Sequence, residues 1–108
     1  MHTTEAFILA IGRNSEILAI VVRLLNNHPS WTAIGALTDD EAIKHFQETK
    51  IDIVMLCGGI TEEEEAMLRT TFLQQDPAVT IIQHYGGGSG LLSNEVMEAL
   101  DKKQGPSF

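Results

Sequence analysis

The sequence predicts an α/β domain of three layers, with a mainly parallel sheet of about four strands between two layers of helices. Three observations lead there. A short apolar run followed by a capped amphipathic helix recurs four times along the chain, the rhythm of strand, crossover and parallel strand. The apolar runs are continuous rather than alternating, as expected for strands covered on both faces. A length of 108 residues with 44% hydrophobic side chains is enough for one core without disulfides or metals.

The first run is "AFILAIG" at 6–12, and Ser15 stands at the N-cap position ahead of the helical stretch "EILAIVVRLLNNH". On that helix Ile17, Leu18, Ile20, Val21, Val22, Leu24 and Leu25 cover an arc of about 200°, leaving Ala19, Arg23 and Asn26 on the remainder. This is more apolar surface than docking on one sheet face requires. Either neighbouring helices cover the excess or it belongs to a partner surface. The second run, "TAIGAL", leads into "TDDEAIKHF", where Thr38 and Glu41 have capping-box spacing and Ala42, Ile43 and Phe46 face inward. Trp31 is expected to pack at the start of this strand or in the turn before it.

The third run, "IDIVML", is followed by a glycine turn and "TEEEEAMLRTTFLQQ", where Thr61 and Glu64 repeat the capping box. Asp76-Pro77 closes that helix, because the residue before proline avoids the α region. The fourth run, "AVTIIQHY", passes through "GGGSG" into the last helix, "LLSNEVMEALDKK". Residues 1–104 then form one domain and 105–108 a short tail.

Fifteen acidic against seven basic residues give a net charge of −8, with no basic cluster beyond Lys102-Lys103. A phosphate backbone would be repelled, so nucleic acid is not an expected partner. No apolar run approaches membrane-spanning length, and the N-terminus lacks the basic start and small-residue cleavage site of a signal peptide. The expected location is the cytoplasm, with no membrane partner. One cysteine cannot form an internal disulfide, which agrees with a reducing compartment.

From about residue 6 to residue 85, the segments "FILAIGRNSEILAIVVRLL", "LTDDEAIKHFQETKIDIVML" and "AVTIIQHYG" resemble the receiver domain of two-component response regulators. The resemblance implies a flavodoxin-like sheet of order 2-1-3-4, lacking the family's fifth strand because only 23 residues follow Tyr85 and they hold one helix. In the family, an acidic pair after the first strand binds Mg²⁺ and an aspartate ending the third strand accepts the phosphoryl group. A hydroxyl after the fourth strand and a lysine after the fifth complete the set. Here the acidic pair becomes Gly12 and Arg13, the phosphoacceptor becomes Cys57, and the hydroxyl becomes Gln83 or His84. Mg²⁺ requires hard oxygen ligands, which Gly12, Arg13 and Cys57 do not offer. The expectation is a pseudo-receiver, not phosphorylated by the receiver mechanism, with no cofactor and no metal.

The topology would bring Arg13, Cys57 and His84 together at the carboxyl ends of the strands. A cysteine beside a cation and a helix N-terminus can become nucleophilic, so a small thiol enzyme or redox-responsive protein is one alternative. The bland reading of a free cysteine is packing. A small-anion or nucleotide sensor at the crevice is the other alternative, resting on "GGGSG", which has neither Walker nor dinucleotide spacing. The four glutamates at 62–65 are read as a capped, solvated helix start favoured by the macrodipole. The other histidines show no ligand spacing, and zinc is not expected.

The leading expectation is a non-catalytic signalling domain that works by protein–protein contact, as a homodimer or with another signalling protein. Two surfaces are candidates: Leu18, Val22 and Leu25 on the first helix, and Thr80, Ile82 and Tyr85 on the fourth strand. An exposed, uncharged fourth strand invites pairing unless the last helix covers its edge.

Overall fold

The computed structural model describes residues 5–84 and 89–104. Its elements alternate along the chain as β1 (Ala6–Ile11), α1 (Ser15–Asn26), β2 (Trp31–Ala36), α2 (Asp39–Glu48), β3 (Ile53–Leu56), α3 (Glu62–Gln75), β4 (Thr80–Gln83) and α4 (Ser89–Gln104). The strands form one parallel sheet in the order β2-β1-β3-β4. The predicted fold class and strand order are those observed.

Alternation along β1 and β3 divides the core in two. Ile8, Ala10, Ile53 and Met55 face α1 and α4, where Leu18, Val21, Leu25, Leu92 and Val96 pack on them. Leu9, Ile11, Val54 and Leu56 face α2 and α3, against Ala42, Phe46, Leu68 and Phe72. The central strands are apolar at every position because both faces are covered.

The helix starts follow from local chemistry. Both capping boxes form: Thr38 accepts from the Glu41 N–H and Thr61 from the Glu64 N–H, while each glutamate reaches back to its cap N–H. At α1 the cap is Asn14, not Ser15. The Asn14 Oδ1 accepts the Ile17 N–H at 3.0 Å, and Ser15 is the first helical residue. Asn14 is extended, as a cap requires, and the helix simply begins one residue earlier than the hydroxyl suggested. Thr38→Ala should cost about 1 kcal/mol, read as a fall in the urea midpoint at unchanged slope. No measurable loss would mean that the cap is replaced by solvent.

Two strands are shorter than their apolar runs. Ile51 is buried but precedes β3, and Asp52 Oδ2 accepts the Phe7 N–H at 2.9 Å in place of a strand carbonyl. Before β4, the Val79 N–H turns back to Asp76 O at 3.1 Å, so the strand begins at Thr80. Asp76 ends α3 in an extended conformation, as expected ahead of proline. Trp31 is buried at the start of β2, stacked on His28 with ring centroids 3.8 Å apart.

The excess apolar arc of α1 is partly covered by α4. Leu18 and Leu25, expected on a contact surface, are only 5% and 1% exposed and belong to the core. Val22 is half-buried against that core. The open apolar positions of the helix are instead Ile17 and Ile20, at 56% and 48% exposure. The apolar arc is present, but its buried centre lies at Leu18, Val21 and Leu25 because the sheet and α4 close on that side. No helix among the described residues is long and apolar enough to cross a membrane.

Candidate functional site

The carboxyl ends of β1, β3 and β4 converge. The Cys57 N–H donates to Ile11 O at 2.7 Å and the His84 N–H to Leu56 O at 2.9 Å, so the ladder continues one residue past each strand. With Met55 opposite Ile82 in the register, Cys57 falls opposite His84 on the same face of the sheet. Both line a cleft of about 520 Å³ whose other walls include Ile17, Ile20 and Leu24 of α1, Ile60, and Leu92 of α4. A smaller cleft of about 390 Å³, which Cys57 also lines, is bounded by Gly12, Arg13, Asn14 and the Gly58-Gly59 turn.

Two glycines set how tightly these loops meet. Gly59 has φ +89°, and a Cβ there would lie 2.8 Å from the Arg13 Cβ, so both conformation and space require glycine. At Gly12 a Cβ would meet the Cys57 Cβ at 3.2 Å, which places the first loop directly beside the thiol.

Arg13 does not turn toward Cys57. Its guanidinium donates to Asp39 Oδ1 at 2.5 Å and to Leu37 O at 3.0 Å, and it lies 3.4 Å from Glu64 Oε1. The cation therefore ties the starts of α2 and α3 to β1. Burial works against its charge, but the hydrogen bonds and attraction from Asp39 and Glu64 leave its pKa raised. Glu64 is held below the ordinary carboxyl range, first by the Thr61 backbone N–H and then, against desolvation, by Arg13. Its charge therefore contributes to stability at neutral pH, a contribution lost as pH falls through the lowered value.

The glutamate run is more than a solvated helix start. Glu64 closes a capping box, and Glu65 accepts from Arg69 Nε and from Gln83 Nε2, each at 2.7 Å. Gln83 thus points to α3, while His84 points to the opposite face.

His84 is buried, with a side chain only 7% exposed, and its Nδ1 is hydrogen-bonded to Glu95 Oε1 of α4. Glu95 was not singled out from the sequence. The available signal was a carboxylate set three residues after Leu92 and four before Ala99, inside the stripe α4 buries. The carboxylate acts on the neighbouring thiol as well. Desolvation, and secondarily the negative charge of Glu95, push the Cys57 pKa up from about 9 to about 11. The thiol is neutral at physiological pH, the reverse of an activated nucleophile.

Among the described residues, no group of three or more His, Cys, Asp or Glu side chains is placed to hold a metal ion. Tyr85, the Gly86–Gly88 part of the glycine-rich loop and the tail at 105–108 lie outside the described residues.

No protein-family model matches the sequence, and no curated protein is significantly similar to it. The fold has solved counterparts. The signal receiver domain of an HD domain-containing protein from Pseudomonas fluorescens Pf-5 is similar at a TM-score of 0.79, over 95% of this chain and 100% of that one, with 17% identity. A protein assigned to pilus assembly (CpaE) from Burkholderia thailandensis E264 is similar at a TM-score of 0.57, over 87% of this chain and 79% of that one, with 20% identity. The fold of this chain is receiver-like, with four parallel strands and a final helix that occupies the α1 side of the sheet.

Proposed function

We propose that this chain is a receiver-like signalling or regulatory domain that acts by contact with other protein surfaces and takes no phosphoryl group by the receiver mechanism. The observation that carries this reading is the chemistry at the ends of β1 and β3. Gly12, Arg13 and Cys57 stand where a receiver needs carboxylates, and the cation there is already bound to Asp39 and Glu64. Among the described residues no group of three or more His, Cys, Asp or Glu side chains is placed to hold a hard divalent ion, and Cys57 presents a neutral thiol.

The test is incubation with Mg²⁺ and a small-molecule phosphodonor, followed by intact mass. No phosphoryl adduct is expected, and the melting temperature should not move with the donor, since binding to the native state would raise it. A Mg²⁺-dependent phosphoryl adduct at the strand ends would overturn the reading.

One observation favours a second reading, a thiol enzyme. Cys57 and His84 share a face and a cleft, and Glu95 orients the imidazole as the third member of a nucleophile–base–carboxylate series would. Against it stands the raised thiol pKa. An anion sensor is less favoured, because Glu95 flanks the cleft and Arg13 is engaged elsewhere.

A further inference from the structure

We infer that the outer side of β2 at Gly35 captures the carboxyl terminus of another protein chain that ends in an aliphatic residue. The inference names one surface for the contact reading above and rests on it. It concerns β2 and the outer face of α1, so its failure would leave the phosphodonor result untouched.

The outer side of β2 presents one free donor and acceptor at its carboxyl end. Ser30 O and Ala36 O accept from β1, so by alternation Thr32, Ile34 and Ala36 bond to β1 while Ala33 and Gly35 turn outward. At Ala33 both groups are taken: the Asn26 side chain accepts its N–H at 2.8 Å and donates to its C=O at 3.0 Å. At Leu37, just past the strand, the N–H donates to Glu41 Oε1 and the C=O accepts from Arg13. Gly35 lies between them, and among the described residues nothing is bonded to its outward pair. The free window is one residue long.

That residue opens onto a cleft of about 410 Å³ between α1, β2 and the start of α2. A Cβ on Gly35 would meet Val22 Cγ2 at 3.1 Å and Leu18 Cδ2 at 3.2 Å, so the side-chain direction there is toward α1. Residues directly opposite in an antiparallel pair exchange both backbone bonds and carry their side chains on the same face. A guest residue opposite Gly35 therefore satisfies both outward groups and sends its side chain under α1, among Leu18, Ala19 and Val22. Those walls are hydrocarbon, so an aliphatic guest gains by leaving water.

Two further features make the guest residue the last of its chain. An antiparallel guest continues from Gly35 toward Ala33, where the Asn26 amide already stands. A chain that stops at the guest residue avoids that amide. It also leaves a carboxylate there, with one oxygen accepting the Gly35 N–H and the other on the Ala33 side. Arg23 lines the same cleft and lies three residues before Asn26, on the same side of α1. It is exposed and, among the described residues, forms no ion pair, unlike Arg13 and Arg69. A guanidinium and a terminal carboxylate form the stronger, charge-assisted kind of hydrogen bond. Toward its amino end the guest passes Ser15 and Glu41, so a lysine two residues before the terminus meets a carboxylate.

The test is titration of the ¹⁵N-labelled protein with acetyl-Lys-Ala-Val and acetyl-Lys-Ala-Leu as free acids to about 5 mM, a range that covers weak contacts. Saturable shifts of the Gly35 and Ala19 amides are expected, with Kd on the order of 0.1–1 mM for a seam of one residue. Amidating the peptide terminus should weaken binding about tenfold, because the charge that faces Arg23 is lost. Arg23→Gln, at an exposed position, should weaken the free acid by a similar factor and leave the amide unchanged. Ala19→Gln fills the cleft from the exposed side of α1 and should weaken both, with an unchanged circular dichroism spectrum. The inference is overturned if neither peptide shifts Gly35, if the amide binds as tightly as the acid, or if Arg23→Gln holds the acid as tightly as wild type. An Ala19→Gln protein with wild-type affinity overturns the placing of the guest side chain beneath α1.

Discussion

Iodoacetamide at pH 8 will alkylate Cys57 in the folded protein about a hundred times more slowly than in the denatured chain. The factor is the ratio of thiolate fractions in the two states. A thiol titrating near 9 is roughly one-tenth ionised at pH 8, whereas one pushed up to about 11 is about one-thousandth ionised. Only the thiolate attacks, and partial burial slows access further. A rate equal to or above that of the denatured chain would restore the thiol-enzyme reading, with His84 as base and Glu95 as its orienting carboxylate.

The same shift makes a pH prediction whose sign is definite. The folded protein holds the Cys57 proton more tightly than the unfolded chain, so between about pH 9 and pH 11 unfolding releases a proton. The contribution of the neutral thiol is therefore whole below pH 9 and is lost as pH rises through 11, roughly 2–3 kcal/mol across the window. Cys57→Ser should flatten this alkaline decline relative to wild type in denaturant titrations run at each pH. An identical decline in the variant would mean that other groups cause it.

Phe72→Ala will have the largest effect on stability. Phe72 is fully buried at the centre of the α2–α3 side and meets Phe46 with ring centroids 4.5 Å apart, tilted by 34°. Truncation removes the ring's burial and leaves a cavity that the flanking strands cannot close, for about 3–5 kcal/mol. Against the 5–15 kcal/mol typical of a domain, that is a large share of the total. The loss should also reach the strand ends, because α3 carries Glu64 and Glu65, which hold Arg13 and Gln83. A urea midpoint displaced by the equivalent of 1 kcal/mol or less would show that the ring is not packed as described.

Legible along the chain are the α/β class, four strand–helix units, the helix caps Thr38 and Thr61, the stop at Asp76-Pro77, and the lack of carboxylates at Gly12, Arg13 and Cys57. Each of these depends on residues a few positions apart, or on residue type alone, and such signals survive without knowing what lies across the fold. The tertiary structure decided the rest. Strand register set Cys57 beside His84, and α4 delivered Glu95 to both. Arg13 turned toward Asp39 and Glu64 because two helix N-termini with acidic first turns lie within reach of its long side chain. Asn26, on the polar side of α1, bonded both backbone groups of Ala33 on the outer side of β2. All of these join residues from separate elements, and the packing that brings such elements together is a property of the whole core, not of any stretch that can be read along the chain.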